Sequence, residues 1–152
     1  MSKLVAMLPD TSEMGDVRML NLLCDTNLLI GKPDLSVLGV PLDGVTLRTS
    51  AICYAELLEG EFTADPIRAA RAVLEVAGAQ ANFGEALPFG TAEVQAYRAV
   101  CAATVRCGRT ITRRRRVDMM IAATALANGL TLATRNVEDF AAVEGIVPIV
   151  QL

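Results

Sequence analysis

The sequence predicts an α/β fold in which helices sandwich a mainly parallel central sheet. Short apolar runs alternate along the chain with longer helix-like segments, the order typical of parallel α/β sheets. The chain has 152 residues, of which 53% are hydrophobic and 20% are charged. This size and composition suit one compact domain with a substantial core.

The N-terminal half opens with the apolar run 20–24, which predicts a buried strand ending at a turn. Residues 28–42 contain two glycines and two prolines, so short helix and loop are expected there. The β-branched run 45–49 predicts a second strand. A helix is expected over 51–59, because a serine precedes it as a cap and a glycine follows it as a stop.

The C-terminal half continues the same alternation. An Asp-Pro pair opens its first helix, with proline in the first turn. The predicted elements are, in order, a helix from 66 to about 81, a short strand at 86–89, an alanine-rich helix from 91 to near 108, a helix at 115–128, a strand at 130–134, a helical turn at 137–140 and a terminal strand at 147–150.

Residues 1–18 are predicted to be a poorly ordered extension, and residues 19–152 to form the domain. A proline, a glycine and three acids interrupt any periodicity in the first segment, and its apolar run is too short for a signal peptide. The longest uncharged stretch, 119–134, has 16 residues, whereas a membrane span needs about 20. We therefore expect a cytoplasmic protein without membrane contact.

The chain contains no histidine. This excludes Ser-His-Asp hydrolysis, Cys-His proteolysis and histidine-ligated zinc. The four cysteines form no C-x-x-C pair and have apolar neighbours, so buried free thiols in a reducing compartment are expected. They are Cys24, Cys53, Cys101 and Cys107.

Three carboxylates occupy positions where the local pattern favours apolar side chains: Asp25 at a strand end, and Glu56 and Asp118 on helices. A charge on a core-facing stripe costs several kcal/mol unless something compensates it. Each acid alone could be a cap or an ion-pair partner. Together they indicate a shared crevice at the strand ends, where a hard cation such as Mg²⁺ or Mn²⁺ would relieve their repulsion.

Basic residues are concentrated in one segment. Residues 94–117 contain seven arginines and no acid, and the rest of the chain has 7 basic and 17 acidic residues, a net charge of −10. The run Arg113–Arg116 ends just before Asp118. A solvated turn or a grip on an acidic partner would explain it, but phosphate binding beside a metal site is the favoured interpretation.

Four motifs resemble the PIN domain and, more narrowly, the VapC-type ribonuclease toxins of bacterial toxin–antitoxin modules. They are Cys-Asp-Thr-Asn at 24–27, Thr-Ser-Ala-Ile-Cys-Tyr-Ala-Glu-Leu-Leu-Glu-Gly at 49–60, Asp-Met-Met-Ile-Ala-Ala-Thr-Ala at 118–125 and Thr-Arg-Asn-Val-Glu-Asp-Phe at 134–140. The resemblance covers about residues 20–150. It implies a PIN-like three-layer α/β/α sandwich.

The resemblance also implies roles for individual residues. The metal-binding acids of the family correspond to Asp25, Glu56 and Asp118. At the fourth acidic position Asn136 stands where some members have aspartate, and Asp139 lies one helical turn away, so either could fill it. The implied supporting polar residues are Thr26, Asn27, Thr134 and Asn136.

The implied activity is hydrolysis of RNA phosphodiester bonds with Mg²⁺ or Mn²⁺, on tRNA or ribosomal RNA. The implied partners are a second copy of the chain and a small antitoxin protein. The expected RNA-binding residues are Arg109, Arg113, Arg114, Arg115, Arg116 and Arg135. The alternatives are a catalytically silent PIN-like module that binds RNA or protein, a phosphatase with Asp25 as nucleophile, and DNA cleavage.

Overall fold

The structure is a computed structural model that describes residues 19–152, so the expected extension at 1–18 lies outside the described residues. Four parallel strands form one sheet in the order β2-β1-β3-β4. Their bounds are β1 Leu20–Cys24, β2 Val45–Arg48, β3 Thr131–Thr134 and β4 Ile149–Gln151. The predicted parallel α/β architecture is confirmed.

Four α-helices connect these strands, with short 3₁₀ segments in the loops. The helices are α1 Ala51–Glu59, α2 Pro66–Phe83, α3 Thr91–Arg106 and α4 Arg113–Ala127; the 3₁₀ segments are Thr26–Leu28, Leu35–Leu38, Leu42–Gly44, Gly60–Phe62 and Val137–Val143. As predicted, Ser50 caps α1: its hydroxyl accepts a hydrogen bond from the Cys53 amide at 3.1 Å.

The core lies between the two central strands and the helices. Leu22 and Leu23 of β1 and Leu132 of β3 are fully buried, as expected for strands covered on both faces. α4 contributes Ile121 and four neighbouring small residues to the same core. The thiols of Cys24 and Cys53 are buried and free, but the expectation of burial is wrong for Cys107, which is exposed, and only partly right for Cys101.

Three details of the local predictions need correction. The expected strand at 86–89 is a single bridge, in which Leu87 pairs with Ser50. Helix α4 begins at Arg113 rather than Arg115, because Thr112 caps it. Gly60 does not end α1 with a left-handed residue; the chain turns on into a 3₁₀ segment, and an added Cβ would lie only 3.1 Å from the Cβ of Ala72.

The register of the sheet determines where the strand ends meet. Cys24 of β1 lies beside Ala133 of β3, so the residues that follow each strand are neighbours. The carboxyl ends of parallel strands are where α/β proteins place their ligands. Within residues 19–152, no helix is long and apolar enough to span a membrane.

Candidate active site

Asp25 follows β1 directly and is the most enclosed of the predicted acids, with 6% of its surface exposed. Its two carboxylate oxygens each accept one hydrogen bond, from the Thr26 amide and from the Thr134 hydroxyl, both at 2.8 Å. Burial raises the pKa of Asp25, these two hydrogen bonds lower it, and the charge of Asp139 raises it further. The two hydrogen bonds thus hold the side chain in one orientation, but no basic side chain among residues 19–152 neutralises its charge.

Thr134 is the centre of the polar network around Asp25. It ends β3, is fully buried, and its oxygen also accepts hydrogen bonds from the Asn136 amide at 3.1 Å and the Asn27 side chain at 3.4 Å. Asn27 in turn accepts from the Arg135 amide at 3.3 Å. The predicted supporting residues therefore form a bonded unit that fixes Asp25 across the β1–β3 junction.

Asp118 lies in the second turn of α4 and is half-buried. Its pKa is raised to about 7, first by burial and then by the negative charges of Asp25, Asp139 and Glu56, while Arg114 lowers it. Coulombic shifts of this kind require proximity. All four predicted acids therefore share one electrostatic environment.

Glu56 corrects one expectation about the site. It does not face the core: it lies on the exposed side of α1. The part of the side chain that is shielded, together with the charge of Asp25, still raises its pKa. Glu56 therefore borders the acidic cluster from the solvent side.

Asp139 and Asn136 are joined to each other. The Asn136 side-chain amide donates to a carboxylate oxygen of Asp139 at 2.7 Å, and both residues are exposed. Asp139 also raises the pKa of both Asp25 and Asp118 by its charge. Of the two residues, Asp139 therefore brings a negative charge close to Asp25 and Asp118, and Asn136 is hydrogen-bonded to it.

The donor set suits a hard divalent cation. The acids supply only oxygen ligands, and among residues 19–152 none of the four forms an ion pair with a basic side chain. The buried hydroxyl of Thr26, next to Asp25, has no hydrogen-bond partner in this part of the chain, and buried hydroxyls normally have one.

The arrangement is not a preformed cage. Within the described part of the chain, no three Cys, Asp or Glu side chains converge closely enough to hold a metal by themselves. Mg²⁺ is usually bound through one or two carboxylates, with waters and substrate phosphates completing the shell. A site of this kind therefore fits the ion in the presence of substrate.

The six predicted RNA-binding arginines differ in exposure and in their hydrogen bonds. Arg113, Arg114 and Arg116 are exposed on the first turn of α4. Arg109 and Arg115 are half-buried, and each guanidinium donates to a backbone carbonyl, of Glu138 at 3.3 Å and of Thr110 at 2.9 Å. The sixth, Arg135, is exposed and donates to the Ile30 carbonyl at 3.3 Å.

A small half-open cleft adjoins the acids, and the sequence analysis did not find it. It lies between α3, α4 and the 3₁₀ segment Val137–Val143. Its lining combines Arg109 and Arg115, Asp118 and Asp139, and apolar side chains that include Met119 and Phe140. In the sequence, the apolar residues of this lining looked like ordinary core residues. The one indication of a cleft here was that Met119 directly follows Asp118, a predicted site acid.

Comparison with known proteins agrees with this fold. The PIN domain profile matches residues 22–146. VapBC-5, a member of the VapBC family of toxin–antitoxin systems from Mycobacterium tuberculosis, has a TM-score of 0.69 and 23% identity, covering 87% of this chain and 97% of that one. No protein with a curated description matches the sequence.

Two further solved structures are slightly more similar in sequence. The DNA-bound VapBC of Salmonella typhimurium has a TM-score of 0.65 and 26% identity, and covers 88% of this chain and 98% of that one. FitAcB of Neisseria gonorrhoeae has a TM-score of 0.63 and 26% identity, with 84% and 95% covered.

Proposed function

The chain belongs to the PIN domain family, and we propose that it is a metal-dependent endoribonuclease of the toxin type, held inactive by a small antitoxin protein. The observation that carries this proposal is the gathering of four acids, Asp25, Glu56, Asp118 and Asp139, which lie close enough for the other three to raise the pKa of Asp118 while none of them pairs with a basic side chain among residues 19–152. A fold gains nothing in stability by gathering four carboxylates without basic partners. Such a cluster is typical of a site that binds a cation and works on phosphate.

Mg²⁺ or Mn²⁺ would be held by Asp25 and Asp118, with Glu56 and Asp139 contributing directly or through water. When bound, the ion supplies Lewis-acid chemistry: it makes water acidic enough to act as a nucleophile near neutral pH, and it offsets the charge on the phosphate. This chemistry needs no histidine, in agreement with the composition.

The residues of the chain supply orientation and charge. The Thr26 amide and the Thr134 hydroxyl keep both Asp25 oxygens in place, and the Asn136 side chain holds one oxygen of Asp139. Asp118 is partly protonated at neutral pH without a cation, so it must lose its proton to act as a ligand. The arginines on the first turn of α4 bind the RNA backbone beside these acids. The products are 5′-phosphate and 3′-hydroxyl ends.

We propose the substrate and partners by analogy with the family. Structured RNA, either tRNA or a ribosomal RNA loop, is the proposed target, and the cytoplasm is the proposed location. The similar solved structures are VapBC complexes, which supports an antitoxin partner for this chain. A homodimer is also proposed; the apolar side chains of Val94 and Val105, 54% and 60% exposed on α3, are available for it.

The test is to incubate antitoxin-free protein with total bacterial RNA and Mg²⁺ or Mn²⁺, and to map new 5′ ends. Discrete metal-dependent cuts with 5′-phosphates are expected, and they should disappear with a chelator and in the Asp25→Ala, Asp118→Ala double variant. Products with 2′,3′-cyclic phosphates would contradict the mechanism. Absence of cuts by folded, metal-binding protein would favour a silent PIN module that only binds RNA or protein.

A further inference from the structure

Asp118 and Asp139 lie on two walls of the small cleft, and their charges repel each other. Both residues line the cleft, and the charge of Asp139 raises the pKa of Asp118, which requires proximity. The buried side chains of Phe140 and Val143 fix one face of the 3₁₀ segment Val137–Val143 in the core. Asp139 itself is exposed, and the repulsion from Asp118 acts on it there. Contacts to the backbone of this segment would oppose that repulsion.

The chain leaves α3 in a conformation that fixes the backbone of Arg109. Gly108 has a φ of 74°, which glycine adopts without steric cost. The Gly108 amide donates to the Val105 carbonyl at 2.9 Å, and the Arg109 amide donates to the Thr104 carbonyl at 3.1 Å. These two bonds form the Schellman motif that ends many helices. The backbone of Arg109 is therefore attached to the last turn of α3.

Two side chains at the end of α3 reach the backbone of the 3₁₀ segment. The Arg109 guanidinium donates to the Glu138 carbonyl at 3.3 Å. The Cys107 thiol, a weaker donor, donates to the Ala142 carbonyl at 3.6 Å. The two acceptors lie on either side of Asp139 in the sequence. The end of α3 is therefore bonded to the segment that carries this acid, both before and after it.

We infer that Arg109 is a positioning residue, which keeps Asp139 next to Asp118 by holding the 3₁₀ segment against the end of α3. The inference rests on the proposed function, in which Asp139 contributes to cation binding. The acceptor of Arg109 is the residue directly before Asp139. Arg135 also donates to a backbone carbonyl, but that of Ile30, in the loop after β1. Arg109 thus has a role different from that of the α4 arginines, which are proposed to bind the RNA backbone.

The charge of Arg109 makes positioning distinguishable from a contact to RNA. Arg109 lines the same cleft as Asp118 and Asp139, and a positive charge beside a cation site repels the cation. Removing this charge alone should therefore strengthen Mn²⁺ binding or leave it unchanged. Loss of the hydrogen bond to Glu138 should have the opposite effect, because Asp139 can then move away from Asp118. The direction of the change decides between the two roles.

The experiment measures Mn²⁺ binding to the full chain without RNA, by electron paramagnetic resonance of the free ion. Arg109→Met removes the charge and the donors and should weaken Mn²⁺ binding about tenfold, the lower end of the usual cost of losing an outer contact of a metal site. Arg109→Lys keeps a charge and a donor and should restore most of the affinity. Arg114→Met is the matched control. Arg114 faces Asp118 from the first turn of α4, and its loss should strengthen Mn²⁺ binding.

A second measurement needs no metal. Amide hydrogen exchange of a peptide that covers residues 136–144 is followed by mass spectrometry in a chelator. Exchange should be faster in Arg109→Met than in the unmodified chain and unchanged in Arg114→Met, and thermal melting shows whether each variant is folded. If the unmodified chain binds no Mn²⁺, the proposed metal site is contradicted, while the exchange rates still decide whether Arg109 holds the segment.

Two results would overturn the inference: Mn²⁺ affinity that is unchanged or higher in Arg109→Met, or exchange rates that this substitution does not alter. If, in addition, the slope of log affinity for RNA against log salt fell by about 0.7 in Arg109→Met, Arg109 would be a contact to the RNA backbone instead.

Discussion

The acids of the candidate site occupy positions that disfavour their charged form. Asp25, Glu56 and Asp118 all have raised pKa values, and in each case burial is the first cause and a neighbouring acid contributes. The two hydrogen bonds to Asp25 orient its carboxylate without neutralising it, and none of the three acids pairs with a basic side chain among residues 19–152. In a structural ion pair the pKa of the acid is lowered, whereas here it is raised. The stability of the protein should therefore depend on pH in a characteristic way.

Without a divalent cation, the protein should become more stable as the pH falls from 8 to 6. A carboxyl whose pKa rises from 3.8 in the unfolded chain to about 7 in the fold binds more protons when folded. The free energy of unfolding therefore falls as pH rises through that window. Thermal melting in a chelator at several pH values measures this, and Asp118→Asn should flatten the profile.

Asp43→Asn is the control for this measurement. It removes an exposed carboxylate from the loop before β2 and should leave the profile unchanged. If the melting temperature of Asp118→Asn still depends steeply on pH, the titration of Asp118 is not the cause of the pH dependence. The carboxylates that face it are Asp25, Glu56 and Asp139, and Arg114 is the facing cation, so Asp25→Asn should weaken the dependence as well.

Asn136 should act through Asp139. Asn136→Ala removes the 2.7 Å hydrogen bond to Asp139, and losses of such outer contacts typically cost 10–100-fold in metal affinity or activity. We expect the Mg²⁺ concentration for half-maximal cleavage to rise about tenfold, with the melting temperature unchanged because the residue is exposed.

The matched control is Ser36→Ala, which breaks another exposed side-chain hydrogen bond to an aspartate, Asp34, far along the sequence from the acids. It should change neither quantity. If Asn136→Ala needs no more Mg²⁺ than the unmodified chain, Asp139 is not oriented by this contact and the fourth position lies elsewhere.

Among the elements, α4 carries both the proposed RNA-binding arginines and one of the proposed catalytic acids, at a cost to the stability of the helix. Its first turn contains no acid and begins with four arginines. The N-terminus of a helix carries a partial positive charge, so cations there are unfavourable. Thr112 offsets part of this by accepting a hydrogen bond from the Arg115 amide at 3.3 Å. Helix stability therefore does not explain the four arginines, whereas the proposed binding of RNA does.

Arg113→Gln should therefore stabilise the fold by about 0.3–1 kcal/mol while weakening RNA binding. The slope of log affinity against log salt should fall by about 0.7 for one lost contact to single-stranded backbone. Arg68→Gln is the control, because Arg68 is exposed in the first turn of α2. It should leave RNA binding and its salt slope unaltered. A slope that Arg113→Gln does not change would remove this residue from the interface.

The elements show which parts of the structure the sequence could predict. α1 was predicted with both bounds, because its serine cap and its periodicity are local signals. The exposed position of Glu56 was not, because helical spacing gives a face but not its neighbours. The bridge at Leu87 depends on a partner, Ser50, 37 positions earlier, and no local pattern encodes such pairing.

Two acids of the candidate site could be predicted from local sequence signals, as α1 could. Asp25 and Asp118 each stood out against an apolar background, and the parallel sheet makes the ends of β1 and β3 meet. The cleft could not be predicted from the sequence. Met119 and Phe140 look like core residues there, and the cleft exists only once α3, α4 and the 3₁₀ segment Val137–Val143 are packed together. The apolar lining of a cleft consists of the same residue types as a core.

In the whole molecule, positive and negative charges lie in separate groups that, among the described residues, leave each other unpaired. Residues 94–117 carry seven positive charges, while the remainder has a net charge of −10. The acids that meet at the strand ends repel one another, and the arginines of α4 do not pair with them within the described residues. A divalent cation would bind the acids, and a phosphate group of the substrate would lie between that cation and the arginines.

Adding Mn²⁺ should therefore raise the melting temperature of the whole protein at pH 8, because an ion that binds only the folded state stabilises it by RT ln(1 + [L]/Kd). At 100 times Kd this is about 2.7 kcal/mol. Asp25→Asn with Asp118→Asn should remove the dependence on Mn²⁺ while raising the melting temperature in a chelator, since repulsion is relieved. Asp43→Asn should keep the full response. If the double variant is stabilised by Mn²⁺ as strongly as the unmodified chain, the cation binds outside this cluster.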